Sequence, residues 1–279
     1  TVVLLTSTST TSHLFNFFSS ITFLQSLFSS ITFFIKMKRL FSFIIASAAT
    51  LTAAAQIHLS VELNNNHLWR GIEVADGCVG ETDLNYRFAK GHMTLGLWGG
   101  TNTQGTYKEF NHYLSIQGAG FKFSAWDTYN FSPGATYNNR QYFNYSAHET
   151  GRFLNCTLDY RFQQPQFPLL LSWSTIMFGR DRSADNTAQK YSTFVYVEYP
   201  VYKKDGWQVD AGVGGAFALN KAGDDHHFYG TTPGIVHTQL KVSRDLKIGS
   251  YTLPVHVTGM WNPQSDKAFF QIGAQIINL

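Results

Sequence analysis

The stretch from Leu154 to Phe162 reads Leu-Asn-Cys-Thr-Leu-Asp-Tyr-Arg-Phe. Its even-numbered residues are apolar and its odd-numbered residues are polar, which is the period of a β-strand with one apolar and one polar face. The same alternation recurs from Glu81 to Ala89 and from Trp207 to Phe217. The sequence therefore predicts an all-β protein rather than a helical one.

Working outward from these stretches, about twelve strands account for the chain from residue 57 onward. We place them at 57–70, 79–89, 91–102, 107–118, 120–131, 152–163, 167–178, 190–200, 206–218, 234–246, 250–261 and 267–278. Short turns alternate with longer connections, such as 71–78, 132–151, 179–189 and 219–233, so the longer connections fall at one end. Outer-membrane barrels have this asymmetry, because their periplasmic turns are tight and their outer loops are free to grow. We predict a closed antiparallel up-and-down transmembrane β-barrel of about twelve strands, with Arg140 to Glu149 as an alternative extra strand.

The chain before residue 56 has two parts. Residues 1–36 lack Met and are rich in Ser, Thr and Phe, and we interpret them as a non-native upstream segment. The alternative is a genuine membrane anchor. Residues 37–55 read as a signal peptide, with Lys38 and Arg39 before an apolar stretch and small residues at Ala53 to Ala55. The predicted mature barrel is then 56–279.

Composition agrees with an exported barrel. Aromatic residues make up 16% of the chain and charged residues only 14%, below the roughly 25% of soluble domains. The net charge of +3 and the absence of a basic stripe argue against a nucleic-acid partner. Cys78 and Cys156 fall at different predicted depths, so we expect two free thiols rather than a disulfide.

Three segments resemble a known family. The segment Asn66-His-Leu-Trp-Arg-Gly-Ile72 resembles the opening signature of the Gcw_chp family of bacterial outer-membrane-type β proteins. Gly151 to Tyr160 resembles a stretch in related barrels of gut anaerobes, and Pro168 to Ile176 continues it. The resemblance implies an outer-membrane barrel and no particular activity. Its motif residues here are Trp69, Arg70 and Gly71.

Charged residues on the polar faces of the strands are candidates for a pore lining. They are Glu62, Asp83, Arg87, Lys122, Asp159, Arg161, Asp210 and Lys241. Twelve strands lie between the barrels of eight strands, which side chains fill, and those of sixteen, which hold a channel. These charges could therefore select solutes, or could neutralise one another and plug the barrel.

Two further clusters are candidate ligand or metal sites. Trp69-Arg70-Gly71 could bind a ligand, but we favour Trp69 in the extracellular aromatic belt, Arg70 toward the lumen or lipid headgroups, and Gly71 as a turn. Asp224-Asp225-His226-His227 is dense in metal-ligand types, yet adjacent loop residues do not surround an ion by themselves. We predict a solvated loop, with no metal and no cofactor.

The sequence contains no nucleophile elbow, no His-Glu-x-x-His and no P-loop, so we expect no enzyme and no catalytic residues. The predicted function is a monomeric porin-like barrel in the outer membrane of a Gram-negative bacterium. Its partners would be outer-membrane lipid, lipopolysaccharide and a small solute in the lumen. One alternative is a non-conducting barrel whose loops, notably Ser132 to Gly151, contact other molecules. Another is a secreted soluble β-sandwich, which would bury Leu154, Leu158 and Phe162.

Overall fold

The computed structural model describes residues 56–279, which form a closed barrel of twelve antiparallel strands. The strands are β1 Gln56–Trp69, β2 Ile72–Phe88, β3 Met93–Asn102, β4 Lys108–Gly118, β5 Phe121–Asn130, β6 Arg152–Arg161, β7 Leu170–Gly179, β8 Ser192–Lys204, β9 Trp207–Ala218, β10 Gly234–Ile248, β11 Tyr251–Asn262 and β12 Lys267–Asn278. The predicted all-β closed barrel is confirmed. The predicted upstream segment 1–36 and signal peptide 37–55 lie outside the described residues.

Each strand pairs with its neighbours in sequence, and β1 pairs with β12 to close the ring. The closing seam runs from Ser60 opposite Asn278 to Asn64 opposite Gly273, with a bulge between Val61 and Glu62. Backbone hydrogen bonds between Leu59 and Leu279 extend it by one more pair. Closure matters because neither β1 nor β12 is then a free edge strand of an open sheet. Within residues 56–279, no helix is long and apolar enough to span a bilayer.

The alternation of the strands separates an apolar outer surface from a polar interior. Leu97, Leu158 and Leu240 are 44%, 48% and 51% exposed, on three well-separated strands. The residues beside them in sequence turn inward, and many of the buried side chains are Asn, Ser and Thr. A β-sandwich would bury its apolar face between two sheets. The sandwich alternative is therefore wrong, since Leu158 faces outward and the sheet closes on itself.

The three longest connections lie at one end of the barrel, as predicted, with one correction. The turn end carries both described termini and connections such as 119–120 and 205–206, whereas the loop end carries 131–151, 180–191 and 219–233. The predicted loop 71–78 is instead the first part of β2, which pairs with β1 from Trp69 opposite Ile72. The stretch Arg140 to Glu149 forms turns and no strand.

The tip of the β1–β2 hairpin leaves the wall and folds into the barrel. The β1–β12 ladder stops at Asn64 and the β2–β3 ladder starts at Val79, so the strand segments between them form a ladder only with each other. The two-residue turn is made by Arg70 and Gly71, at φ of 48° and 85°. Tight hairpin turns require positive φ, which suits Gly71 and is uncommon for an arginine. The backbone carbonyl of Gly71 accepts a hydrogen bond from Asn262 of β11.

Candidate ligand site inside the barrel

Arg70 fastens the hairpin tip to the opposite side of the interior. Its Nη1 donates to Asn155 Oδ1 at 2.9 Å and to Tyr229 OH at 2.7 Å. Its Nη2 donates to Ser174 Oγ at 2.7 Å and to Thr157 Oγ1 at 3.3 Å. These acceptors belong to β6, β7 and the loop before β10, so a single side chain bridges three parts of the barrel. The prediction that Arg70 turns toward the lumen agrees with this placement.

Trp69 also lies inside the barrel, so its predicted place in the outer aromatic belt is wrong. Its ring lies 5.8 Å from Phe153, 5.9 Å from Phe228 and 5.3 Å from Tyr229, between ring centroids. Together with Ile72 it packs against a buried apolar cluster that includes Phe194 and Val236. The belt prediction failed because it assumed that β1 continues along the wall, whereas the hairpin bends inward after Asn64.

A cavity of about 550 Å³ remains between the hairpin and the wall formed by β3 to β6. A volume of this size is within the range of small-molecule sites. Most of its lining comes from three sources, which are the hairpin, the strands and the loops. The hairpin contributes His67, Trp69, Arg70, Ile72, Glu73 and Val74; the strands contribute Glu81, Trp98, Glu109, Asn111, Trp126, Thr128, Asn130, Phe153, Asn155 and Thr157; the loops contribute Tyr137, Arg180 and Phe228.

Carboxylates and guanidinium groups both line this cavity. Glu81 and Glu109 face inward from β2 and β4, on either side of Gly100, and Glu73 lies on the hairpin. Arg180 follows β7, and Arg70 reaches β6 and β7. Among the described residues, Glu81 is paired with His67 at 2.7 Å, but no salt bridge reaches Glu73, Glu109, Arg70 or Arg180. Two acids and two bases thus share the cavity without pairing with one another.

Arg180 is the least satisfied of these groups. Its guanidinium carbon lies 3.9 Å from the ring centroid of Tyr137, 4.8 Å from that of Phe228 and 5.2 Å from that of Phe153. Its Nε is buried and has no hydrogen-bond partner in the described part of the chain. Burial lowers the pKa of Arg180, and the nearby carboxylates of Glu109 and Asp181 only partly oppose that effect. The arrangement places a positive charge among aromatic faces with no anion in contact.

The residues predicted to line a pore take positions on the interior face, where most make local contacts. Glu62 lies 3.3 Å from His256, and Arg161 lies 3.3 Å from Glu198. Asp83 accepts from Tyr113 and Asn85, Arg87 donates to that same Asn85, and Asp210 accepts from Gln208. These contacts tie the interior charges mainly to neighbouring side chains.

Four of the predicted residues form two cross-strand pairs of opposite charge. Lys122 of β5 lies opposite Asp159 of β6, and Lys241 of β10 lies opposite Asp210 of β9. No salt bridge within 4 Å joins either pair among residues 56–279. Whether these side chains line an open path stays a prediction. None of the eight lines the cavity, which lies nearer the loop end.

Most members of the acidic and histidine cluster at 224–227 are held by residues outside it, although His226 lies 3.3 Å from Asp224. Asp224 pairs with Lys190 at 2.6 Å, and Asp225 pairs with Lys221 at 2.6 Å. The hydrogen bond from Lys190 lowers the pKa of the Asp224 carboxyl. His227 turns inward, where its Nε2 lies 2.9 Å from the Thr232 carbonyl, and burial lowers its pKa. Among the described residues, no group of acids, histidines and cysteines is arranged to hold a metal ion.

The loop between β5 and β6 covers a charged cluster on the outer face of the wall. Arg152, only 1% exposed, pairs with Asp127 at 2.7 Å, and the Tyr145 hydroxyl donates to the same carboxylate. The guanidinium of Arg152 also lies 4.1 Å from the ring centroid of Tyr142. Tyr142 and Tyr145, which belong to the loop predicted to contact other molecules, therefore pack on the barrel itself. Phe143 is 83% exposed and stays free for such contacts.

Sequence reasoning missed most of the cavity residues. Arg180 and Glu109 sit next to predicted strand ends, where charged residues are common and carry no motif. Trp98 and Trp126 were within predicted strands, but a tryptophan in a barrel strand is also typical of an outer belt. The alternation of the strands was the signal that could have identified the two tryptophans. Trp98 lies on the same strand face as Gly100, and Trp126 lies on the same strand face as Ser124.

No family model matches the chain, so the resemblance to the Gcw_chp family stays a prediction. No curated protein matches it either. Among solved structures, the chain is similar to the COG4313 outer membrane channel from Pseudomonas putida F1, at 12% identity and a TM-score of 0.40. The match covers 78% of this chain and 93% of that chain.

Proposed function

We propose that this protein is an outer-membrane β-barrel that binds, and on opening passes, a small solute at the cavity beside the β1–β2 hairpin. The observation that carries the membrane location is the largely apolar outer face, in which the Arg152–Asp127 cluster is covered by the β5–β6 loop. Leu97, Leu158, Val197 and Leu240 are all more than a third exposed although they lie on four different strands. A soluble protein rarely leaves so extended an apolar surface in water, whereas lipid accommodates it.

Aromatic side chains near the turn end support the same location. Phe121 and Tyr160 pack at 4.5 Å between ring centroids, and Phe162, Phe167 and Tyr199 continue the row around the barrel. On the other side, Arg244 lies 4.5 Å above the ring of Trp207. Aromatic rings and arginines with this placement are typical of a membrane–water interface. Bilayer lipid and lipopolysaccharide are therefore the proposed surroundings of a single barrel.

The solute site is supported by the shape and chemistry of the cavity. Aromatic walls provide apolar contact area, and the charged and amide groups provide orientation, which is the usual composition of a small-molecule site. In this conformation the hairpin and the loop 219–233 meet across the interior through Arg70 and Tyr229. The proposal is therefore a gated or binding-only barrel, rather than a wide, permanently open pore. No catalytic step is part of it.

In the first test, the protein from residue 56 onward is refolded in detergent and analysed by gel electrophoresis with and without boiling. We expect a faster-migrating band in the unboiled sample, β-type circular dichroism, and insertion into lipid vesicles. A soluble monomer in buffer without detergent, with no shift on boiling, would contradict the membrane location.

Planar-bilayer recordings then distinguish a channel from a barrel that only binds solutes. Discrete conductance steps would support a channel. A silent barrel that still binds solutes would support a binding-only role. The exposed Phe143 favours a third reading, in which the loops contact other molecules. That reading predicts no effect of cavity substitutions on any binding activity.

A further inference from the structure

We propose that the cavity is a receptor for small zwitterions of the amino-acid type, whose anionic group binds Arg180 and whose ammonium group binds Glu109. This inference rests on the proposed solute-binding function and names the class of solute. The two groups face the same cavity and carry opposite charges. Neither takes part in a salt bridge within the described chain.

The anionic end of the ligand follows from Arg180. A buried guanidinium without an anion or a hydrogen-bond acceptor is unfavourable, and aromatic stacking compensates only in part. Its Nε is buried and unpartnered among residues 56–279, while three rings hold the group in a fixed position. A planar fork of donors held in this way matches the two oxygens of a carboxylate.

The cationic end follows from Glu109. Its oxygens accept hydrogen bonds from the amides of Asn111 and Asn130, at 2.7 and 3.3 Å, and no cation of the described chain pairs with it. Those amides are neutral, so they fix the carboxylate in place without a positive charge in contact with it. Glu109 and Arg180 line the same cavity, and the carboxylate raises the pKa of Arg180 against the larger lowering by burial. A ligand with both charges would satisfy both groups at once.

The apolar part of the ligand follows from the aromatic side chains that line the same cavity. Trp69, Trp98 and Trp126 contribute large rings to the cavity, and ring faces suit both an apolar side chain and an ammonium group. A simple anion would leave Glu109 uncompensated, and a simple amine would leave Arg180 uncompensated. A zwitterion with an aromatic or aliphatic side chain avoids both penalties.

The test compares four probes that share a benzyl group. L-phenylalanine and L-phenylalanyl-glycine carry both charges, 3-phenylpropionate lacks the ammonium group, and phenethylamine lacks the carboxylate. Binding to the refolded barrel is measured by calorimetry and by the fluorescence of the cavity tryptophans. We expect at least one zwitterion to bind about tenfold more tightly than both single-charge analogues. Equal affinities, or no binding of either zwitterion, would overturn the proposal.

Variants assign the charges to residues. Arg180→Gln should weaken the zwitterion to about the affinity of phenethylamine and leave phenethylamine unchanged. Glu109→Gln should weaken binding of the zwitterion to about the affinity of 3-phenylpropionate and leave the binding of 3-phenylpropionate unchanged. Arg182→Gln is the matched control, since its guanidinium binds Asn186 within the same loop. Equal weakening of all probes by Arg180→Gln would indicate a structural role and contradict the proposal. The gel shift on boiling reports separately on the barrel, so failure of ligand recognition and failure of the membrane proposal are distinguishable.

Discussion

Replacing Arg70 with methionine should release the β1–β2 hairpin from the interior. The substitution keeps a long side chain but removes four hydrogen bonds, three of them at 2.7 to 2.9 Å. A hydrogen bond from a charged group contributes roughly 1.5–3 kcal/mol, and water replaces part of this when the hairpin opens. We therefore expect a net loss of about 3 kcal/mol for the closed hairpin, which corresponds to a roughly 150-fold shift toward open forms.

Hydrogen exchange measures this shift directly. Amides of the hairpin tip, residues 67–74, should exchange roughly 150-fold faster in Arg70→Met than in the wild-type protein. Amides in the middle of β10 should be unaffected. Arg87→Met is the matched control, because Arg87 faces the interior but donates only to Asn85 on its own strand. Bilayer recordings of the same variants should show more frequent conductance for Arg70→Met alone.

The outcomes separate the anchor from the gate. Unchanged exchange at the tip of a folded Arg70→Met barrel would refute the view that Arg70 holds the hairpin. Faster exchange without any gain in conductance would keep the anchor and remove the hairpin as a gate.

Three further predictions concern the turn, a loop contact and the outer face. Gly71→Ala should cost about 2 kcal/mol and so lower the melting temperature by roughly 4–8 °C, because a Cβ would overlap the Val236 carbonyl oxygen. Gly105→Ala, also at positive φ but in open space, should cost less. The lowered pKa of Asp224 means that its contact with Lys190 is complete above the ordinary carboxyl pKa and is lost as the pH falls through the lowered value. Relative to an unfolded substrate cut in the same buffers, pepsin should therefore cut the 219–233 loop faster in strong acid than just above the ordinary carboxyl pKa. Asp224→Asn should abolish that relative difference, and Asp225→Asn should retain it. Leu240→Arg should make the free energy of folding into vesicles less favourable by about 2–4 kcal/mol. Ile248→Arg, near the turn end of the same face, should cost at most about 1 kcal/mol. Equal yields of folded protein for the two variants would count against the lipid-facing assignment.

The barrel could be predicted from sequence because its main determinant is local. In a strand with one face toward lipid, apolar and polar residues alternate. About ten residues are therefore enough to identify β6 and β9 from the sequence. The alternation of turns and loops then orders the strands without any knowledge of long-range contacts. The boundaries agree with the structure mostly to within a few residues for the same reason.

The inward hairpin and the cavity could not be predicted because their determinants are distant. The segment Ile72 to Cys78 contains Asp76 and Gly77, which favour a loop as readily as a strand. It is a strand because it pairs with β1. Trp69 finds its neighbours in a loop more than 150 residues later, at Phe228 and Tyr229. Arg180 lacks any motif, and only the rings gathered around it distinguish it from a solvated loop arginine.

The seam between β1 and β12 also determines the order in which this protein assembles. The β1–β2 hairpin has a two-residue turn and can form as soon as both strands are synthesised. Closure must wait for the last strand, because Leu59 bonds with Leu279. The acceptors of Arg70 lie 85 to 159 residues away, so its contacts require a wall that is already built. The β1–β2 hairpin, the first hairpin of the described residues, therefore makes its most distant contacts only once β6, β7 and the 219–233 loop are in place, whereas the ring itself closes only when β12 is added.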